Sequence, residues 1–298
     1  MSRLITCAFI GGTGMGTLFG DLGFKTGGHR SIKTPYGDEV MYTIVRRGDL
    51  AFVAIDRHYS TGNFRQADQL DHRAYMYALW KVNQFFPSVF NIQYIFSTSA
   101  VGGLHNTRHV QDGLELGDIV VPHDVKDFTR GVWSYSVKDR YVHPTAFHRS
   151  ANGLFCRHLQ QLLQENEQVK FGGVLACAIT GPLYETPVEI VEFTRHGIFN
   201  LLGMQTVTPE AYYARQNSMH LAVACVVTDT PDVEHDVDGE EVARIMNLRK
   251  PLLADLFVTA MLDVQDMAGF KCSCTKKLPV FHEDLAGDPA DVMGMPVD

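Results

Sequence analysis

Residues 5–14, ITCAFIGGTG, join a short apolar run directly to a glycine-rich turn. The run has the length of one buried strand, and the turn can present backbone N–H groups to an oxyanion. Apolar runs of this kind alternate with helical patterns along the chain. The other predicted strands are residues 50–55, 92–96, 118–122, 174–180, 199–204 and 220–227. The predicted helices are residues 66–86, 150–166, 189–196, 209–219 and 240–264, the last as one long helix or two shorter ones meeting at Pro251. This alternation predicts an α/β domain with a mostly parallel central sheet.

The composition is typical of a globular protein and argues against several other classes of protein. Of the 298 residues, 45% are hydrophobic and 20% are charged, as in an average globular protein. The formal net charge of −8 argues against nucleic acid as the main partner, because no net positive field is available to hold a polyanion. No apolar stretch approaches the roughly 18–20 residues that span a membrane. The six cysteines are too few for a disulfide scaffold, so we expect a cytoplasmic protein.

Domain boundaries follow from the absence of linkers and repeats. Residues 1–275 are expected to form one domain, because strands and helices alternate there without a linker-like stretch. The first residues lack the cleavage pattern of a signal peptide and are expected to lead into the first strand. Residues 276–298 mix Pro, Gly, Asp and Met without periodicity, which predicts an irregular C-terminal tail.

Polar residues follow several predicted strands, at the ends where α/β sheets bind ligands. They are Thr13, Arg57, His58, Thr98, Ser99, Thr180, Thr206 and Asp229. Several hydroxyls, a permanent cation and a carboxylate suit a ligand that combines an anion with a heteroaromatic or sugar group. The plainer alternative is that each hydroxyl only caps a strand or forms a turn.

Two common phosphate-binding loops are excluded by their spacing. The glycines at 11–16 do not make a dinucleotide fingerprint, because Thr17 stands where the last glycine is required. Phe24 before Lys25 rules out a Walker A loop. What remains is a glycine-rich turn that can either meet an oxyanion or simply reverse the chain.

Metal and redox motifs receive little support. His105 and His109 are four residues apart, but no HExxH or Cys/His box accompanies them. Cys272 and Cys274 are too close for a redox CxxC pair. The sequence therefore predicts no metal.

Seven segments occur in an order that resembles one family. They are GGTG at 11–14, RH at 57–58, STSAVGGL at 97–104, GDIVVPHDVKDFT at 117–129, GPLYETPVE at 181–189, GMQTVTPEAYYAR at 203–215 and TDT at 228–230. The series resembles the trimeric purine nucleoside phosphorylase and 5′-methylthioadenosine phosphorylase family over roughly residues 4–265. The resemblance implies a single domain with a mixed, partly barrel-like sheet flanked by helices, and a homotrimer. It also implies phosphorolysis of a purine nucleoside to free base and sugar 1-phosphate. Inorganic phosphate would be the co-substrate, with no metal or organic cofactor.

The resemblance places phosphate at the glycine-rich end. The implied phosphate ligands are Thr13, Arg57, His58, Ser99 and Ala100. A dianion held by a cation and neutral donors can still present one oxygen to the sugar C1′ and stabilise positive charge there.

One departure from the family pattern affects the implied phosphate site. Gln205 follows Met204 where the family has Ser or Thr, and the segment is one residue longer than usual. We expect Thr206 to supply the missing phosphate-binding hydroxyl.

The implied base site is a hybrid of two branches of the family. Tyr184 stands where an aromatic ring packs on the purine, and Asp229 stands where N7 and the 6-substituent are read. A protonated Asp229 would act as the catalytic acid on the leaving base. Glu185 matches the 6-oxopurine branch, whereas Asp229 matches the methylthioadenosine branch. Because an ionised Asp229 can accept from a 6-amino group, this comparison favours a 6-aminopurine.

The sugar site is implied by Met204, by His143 reaching from a neighbouring subunit, and by His235. Each histidine is equally well explained as an ordinary loop residue. Cys272 and Cys274 resemble a C-terminal C-x-C of some methylthioadenosine phosphorylases.

Three functional hypotheses follow. The first is phosphorolysis of 5′-methylthioadenosine. The second is phosphorolysis of a 6-oxopurine nucleoside such as inosine, guanosine or methylthioinosine, which Glu185 favours. The third is a catalytically impaired nucleoside-binding protein, which Gln205 and the extra residue favour.

Overall fold

The computed structural model describes residues 4–12, 18–36, 39–104, 113–129, 153–204, 206–231, 237–266, 272, 274 and 292–293. The strands are β1 (Ile5–Gly11), β2 (Lys25–Thr26), β3 (Arg30–Lys33), β4 (Glu39–Arg47), β5 (Leu50–Asp56), β6 (Phe90–Gly103), β7 (Ile119–Val121), β8 (Asp124–Asp127), β9 (Val169–Phe171), β10 (Val174–Ile179), β11 (Phe199–Met204), β12 (His220–Asp229) and β13 (Val292–Met293). The helices are α1 (His72–Phe85), α2 (Arg157–Gln164), α3 (Pro187–His196), α4 (Val207–Gln216) and α5 (Gly239–Asp266). Short 3₁₀ turns cover Arg57–Tyr59 and Ala67–Gln69.

The sheet is mixed and branches at the long strand β6. β6 pairs in parallel with β1 and β12, and at Gly102–Gly103 it pairs antiparallel with β11. From β1 the sheet continues through β5, β4 and β3 to β13. The expectation of a mostly parallel sheet was wrong in that respect, because β2, β3 and β4 join β5 through antiparallel pairings. The mixed sheet implied by the family resemblance is confirmed.

The barrel-like half of the sheet stays open. One branch runs from β11 through β10 to β8, and the other runs from β12 through β7 to β9. Their members β7 and β8 are separated along the chain only by Pro122 and His123. Among the described residues no ladder of backbone hydrogen bonds joins β7 to β8, so the curl does not close.

Helices cover both faces of the central strands. In β12, Leu221, Val223, Cys225 and Val227 belong to one apolar cluster, together with residues of α1 and α4. Ala222, Ala224 and Val226 belong to a second cluster, with residues of α2 and α5. Burial on both faces explains why this strand is a continuous apolar run, without the alternation of a half-exposed strand.

Local signals fix the helix ends. The Asp71 carboxylate caps α1 by accepting from the N–H groups of Arg73 and Ala74. Helix α5 continues through Pro251 as one element, which settles the open choice between one helix and two. Helix α2 is shorter than the predicted 150–166 and begins after Cys156.

Two further statements concern the ends of the chain and the membrane. Of the tail predicted at 276–298, the described residues are Val292 and Met293, which pair with Ile32 and Ser31 of β3. The domain boundary at residue 275 stays a prediction. Among the described residues, no helix combines the length and apolar character needed to cross a bilayer.

Candidate active site

Nine of the predicted site residues line one cavity of about 690 Å³, counting the solvent at its mouth. They are Arg57, His58, Ser99, Ala100, Tyr184, Glu185, Met204, Thr206 and Asp229. The other three, Thr13, His143 and His235, lie outside the described residues. The volume is in the range of small-molecule sites.

The sheet brings these residues together because several of its strands end at one edge. Arg57 follows β5, and Asp229 is the last residue of β12. β12 lies in register with β6, so that Cys225 pairs with Ser99 and Asp229 pairs with Gly102. The cavity therefore sits at the carboxyl ends of parallel strands, where α/β sheets usually bind ligands.

Arg57 is held by a fully buried ion pair. Its Nε lies 3.0 Å from Glu210 Oε1, and both side chains are at most 1% exposed. Its Nη2 donates to Ser97 Oγ at 2.6 Å and to Glu210 Oε2 at 3.3 Å. Glu210 also accepts from Ser97 Oγ at 2.6 Å and from the Tyr75 hydroxyl at 2.8 Å. All these partners can donate to Glu210, which suits an ionised carboxylate. Burial raises the pKa of Glu210, and Arg57, Ser97 and Tyr75 oppose that shift.

This network directs one edge of the guanidinium toward the glycine-rich turn. A Cβ on Gly12 would lie 3.3 Å from Arg57 Nη1 and 3.3 Å from the Thr98 carbonyl oxygen. The absence of a side chain at Gly12 therefore lets the Arg57 Nη1 edge face the end of β1. Arg57 is thus a cation whose orientation is fixed and whose charge is already balanced by Glu210.

His58 is oriented by its backbone surroundings. Its Nδ1 lies 2.8 Å from the Arg65 carbonyl oxygen, and its ring stacks on Phe64 at 5.8 Å. The carbonyl can only accept, so Nδ1 carries the proton. Burial lowers the pKa of His58, which favours the neutral ring. In that state Nε2 is an acceptor, which suits a phosphate that carries its own proton.

Two hydroxyls stand together in the cavity. Ser99 Oγ and Thr206 Oγ1 are 3.2 Å apart, and both residues are at most 7% exposed. Thr206 turns back on Met204, with its N–H donating to the Met204 carbonyl at 2.8 Å. The longer segment therefore still places a threonine hydroxyl beside Ser99.

The Asp229 side chain lies against the backbone of β6 at Gly102. A Cβ on Gly102 would lie 2.9 Å from Asp229 Oδ2 and would clash with Pro231 Cγ, so only glycine fits there. Thr228 Oγ1 donates to Asp229 Oδ1 at 3.1 Å. Burial raises the pKa of the Asp229 carboxyl, and the Thr228 hydroxyl opposes that shift.

Tyr184 and Glu185 come from the segment before α3. Burial is the main cause that raises the pKa of Glu185, and the charge of Asp229 raises it further. The pKa of Tyr184 is raised as well, by burial and then by Asp229 and Glu185. The Tyr184 side chain is 43% exposed, so its ring lies at the rim of the cavity. An aromatic ring and two interacting carboxyls thus line the same cavity.

Sequence reasoning missed the groups behind Arg57. Glu210, Ser97 and Tyr75 hold the guanidinium in place, yet none was assigned a role. Glu210 lies inside the quoted GMQTVTPEAYYAR segment. A carboxylate in an otherwise apolar helix face was the available signal, because such a group needs a buried partner.

Comparison with known proteins decides the family. A model described as the phosphorylase superfamily matches residues 71–263, more than half of the chain. The chain belongs to the phosphorylase superfamily. The matched range includes both Glu210 and Asp229, and the family expected from the ordered motifs is confirmed.

Relatives within the superfamily carry more specific names. A probable S-methyl-5′-thioinosine phosphorylase of Methanothermobacter thermautotrophicus is 30% identical over 244 residues, 81% of this chain and 79% of that protein. A probable 6-oxopurine nucleoside phosphorylase of Korarchaeum cryptofilum is 28% identical over 215 residues, 66% of this chain and 71% of that protein. Among solved structures, a mutant adenosine/methylthioadenosine phosphorylase from Schistosoma mansoni, in complex with methylthioadenosine, matches with a TM-score of 0.71. At 22% identity, and with 88% of this chain and 92% of that one covered, this likeness establishes the fold.

Proposed function

We propose that this superfamily member is a phosphate-dependent purine nucleoside phosphorylase. It would cleave the N-glycosidic bond and release a free purine and a ribose 1-phosphate. One observation carries the proposal: a single cavity is lined both by a cation and hydroxyls and by an aromatic ring with two carboxyls. The names of the relatives support the same reaction class.

The cation and the hydroxyls suit an oxyanion nucleophile. Arg57, His58, Ser99 and Thr206 would position phosphate so that one oxygen faces the sugar C1′. As the bond to the base breaks, positive charge develops on the sugar, and the adjacent phosphate stabilises it. The hydroxyls orient the oxygens, while the Glu210-paired Arg57 supplies a donor of fixed direction.

A protonated Asp229 would donate to N7 of the departing base. The purine leaves with the electron pair of the broken C–N bond, and a proton at N7 neutralises that charge. Burial raises the pKa of Asp229, which is the shift that a carboxylic acid needs for this role near neutral pH.

The proton count of the two carboxyls favours a 6-oxopurine. Such a base offers N1–H to an ionised Glu185 and takes one proton from Asp229 at N7, so the pair needs one proton. A 6-aminopurine presents an acceptor at N1, so Glu185 would also have to be protonated. Burial raises the pKa of both carboxyls, and the charge of Asp229 raises that of Glu185 further, so a single proton on the pair is easier to reach than two.

We therefore propose a 6-oxopurine nucleoside, with 5′-methylthioinosine as the first compound to test. The name of the Methanothermobacter relative supports both the base and the 5′ group. 5′-Methylthioadenosine, favoured from the sequence, is the second candidate, because Asp229 can also accept from a 6-amino group.

A base-release panel tests the proposal. The full-length protein is incubated with methylthioinosine, methylthioadenosine, inosine, guanosine and adenosine, with and without phosphate. We expect phosphate-dependent release of base, fastest from methylthioinosine. Release from none of them would overturn the enzymatic proposal, and calorimetric binding of nucleoside without turnover would establish the impaired alternative.

We also propose that the protein is a homotrimer. Beside the cavity, Leu183 is 78% exposed and Val188 is 76% exposed, and such apolar side chains are common in subunit interfaces. Analytical ultracentrifugation would give three times the 33.3 kDa chain mass, and a monomer would contradict the proposal. The cytoplasmic location and the absence of an organic cofactor stay predictions.

A further inference from the structure

Three cysteines and a histidine converge at the amino-terminal end of β12. They are Cys156, His220, Cys272 and Cys274, and their ligand atoms all lie within 4.8 Å of one another. His220 Nδ1 is 3.3 Å from Cys156 Sγ and 3.3 Å from Cys272 Sγ. None of these residues lines the candidate active site.

The cluster has the dimensions of a tetrahedral metal site. With Zn–S bonds of about 2.3 Å and Zn–N bonds of about 2.05 Å, a tetrahedron has S···N edges of about 3.6 Å and S···S edges of about 3.8 Å. The two observed S···N separations of 3.3 Å are about 0.3 Å shorter than that edge, and the 4.8 Å upper limit exceeds the two kinds of edge by about 1.0–1.2 Å. Small side-chain adjustments would therefore close all four ligands on one ion.

The ligands are held by separate elements of the fold. Cys156 directly precedes α2, and its N–H donates to the Leu221 carbonyl of β12 at 2.7 Å. The His220 ring stacks on Tyr94 of the neighbouring strand β6, with centroids 5.2 Å apart and planes at 26°. The Cys274 N–H donates to Cys272 Sγ at 3.2 Å, as N–H groups often do to metal thiolates.

Burial and charge also suit a metal. Cys156, Cys274 and His220 are at most 2% exposed, and Cys272 is partly exposed, which leaves a route for an ion to enter. Three thiolates, one neutral imidazole and a divalent cation carry a net charge of −1. Arg215, which is 5% exposed, is a nearby cation whose charge acts on Cys274.

We propose that these four residues bind one Zn²⁺ in a closed, structural Cys₃His site. Binding would release the thiol protons to solvent and leave no open position for a substrate. The ion would anchor Cys272 and Cys274 against β12 and the start of α2. The proposal opposes our sequence-based expectation of no metal, which rested on spacing alone.

The metal content of the full-length protein tests this proposal. Protein purified anaerobically with a thiol reductant, then passed through a desalting column, is analysed by inductively coupled plasma mass spectrometry. We expect about one zinc per chain. Replacement with Co²⁺ should give thiolate-to-cobalt charge-transfer absorption in the near ultraviolet and strong visible bands of tetrahedral cobalt.

Variants at the partly exposed ligand keep the test independent of folding. Cys272→Ala should lose most of the zinc and the cobalt bands. Cys272→His should retain both, because imidazole is also a zinc ligand. Cys7→Ala, a buried cysteine outside the cluster, is the matched control and should keep the wild-type metal content.

Three results would overturn the proposal. One is wild-type protein that contains no zinc and gives no cobalt bands. Another is zinc that Cys272→Ala leaves unchanged, since such metal would be bound elsewhere. The third is a disulfide between two of these cysteines in the anaerobic protein, found by mass spectrometry of peptides.

Discussion

The two ends of β12 serve different chemistry, although they belong to one strand. At the Asp229 end, carboxyl groups, hydroxyls and the Arg57 guanidinium line a cavity that opens to solvent. At the His220 end, sulfur atoms and an imidazole lie among apolar side chains. The strand has ten residues, so the two ends are about 30 Å apart. The carboxyl edge of this sheet therefore offers polar groups to a ligand that enters from solvent, whereas the opposite edge offers mostly buried groups of the kind that bind a metal.

The largest expected effect concerns the Arg57–Glu210 pair at the Asp229 end. Glu210→Gln keeps the side-chain shape but leaves the Arg57 charge buried without its partner. We expect the free energy of unfolding, measured in urea, to fall by about 3–5 kcal/mol. Added phosphate should recover part of that loss, because it can replace the missing negative charge.

The matched control is Glu192→Gln, whose side chain is 66% exposed and lies 3.9 Å from His196 Nε2. It should change the unfolding free energy by less than about 0.5 kcal/mol. Equal effects of the two substitutions would show that the buried pair is not special.

The next effect concerns the base. Asp229→Asn can no longer supply a proton, but its amide NH₂ can donate to both N7 and O6 of a 6-oxopurine, whereas a 6-amino group needs an acceptor there. We expect the kcat/KM for methylthioadenosine to fall by about 10²-fold or more, with a smaller loss for methylthioinosine. Steady-state assays with both nucleosides measure this difference. An unchanged ratio of the two activities would mean that Asp229 does not read the base.

The third effect separates the two ends of the strand. Loss of the proposed zinc in Cys272→Ala should lower Tm, by about 2–4 °C for each kcal/mol of lost stability. The kcat should stay within about twofold of wild type, because distant sites act additively. Scanning calorimetry and assays at 25 °C test both halves. A large loss of kcat in well-folded Cys272→Ala would contradict the separation.

The smallest effect is a pH dependence at the carboxyl pair. A 6-aminopurine needs one more proton on Glu185 and Asp229 than a 6-oxopurine does. Because the pKa values of both carboxyls are raised, the ratio of methylthioadenosine to methylthioinosine turnover should rise as pH falls. The limiting slope is about tenfold per pH unit, since one proton is involved.

Glu185→Gln provides the control for this pH effect. Its amide can donate to N1 at any pH, so the turnover ratio should lose most of its pH dependence and shift toward methylthioadenosine. A slope that persists unchanged in this variant would assign the proton to another group.

The sequence predicted the central strands well for a physical reason. β1, β6 and β12 are buried on both faces, so their apolar runs are continuous and easy to recognise. Strands β3 and β4 were missed. In β4, buried Val40, Tyr42 and Ile44 alternate with more exposed residues, which is the weaker signal of a half-buried strand.

The two candidate sites also differ in how readily the sequence predicts them. Nine of the residues that line the cavity could be predicted because each follows or ends a recognisable strand or motif, and the sheet edge brings such residues together. The role of Glu210 was not predicted because its contact is with Arg57, 153 positions away. The Cys₃His cluster was not predicted because its residues come from three distant segments, so no spacing rule applies.

The Arg57–Glu210 pair also bears on how long anions stay bound. A lone buried guanidinium would hold a dianion tightly and release it slowly. With Glu210 already balancing the charge, attraction for phosphate comes mainly from oriented donors, whose contribution is smaller. We expect short residence times for both phosphate and sugar phosphate. A reversible reaction could then run in either direction, as the concentrations of its reactants dictate.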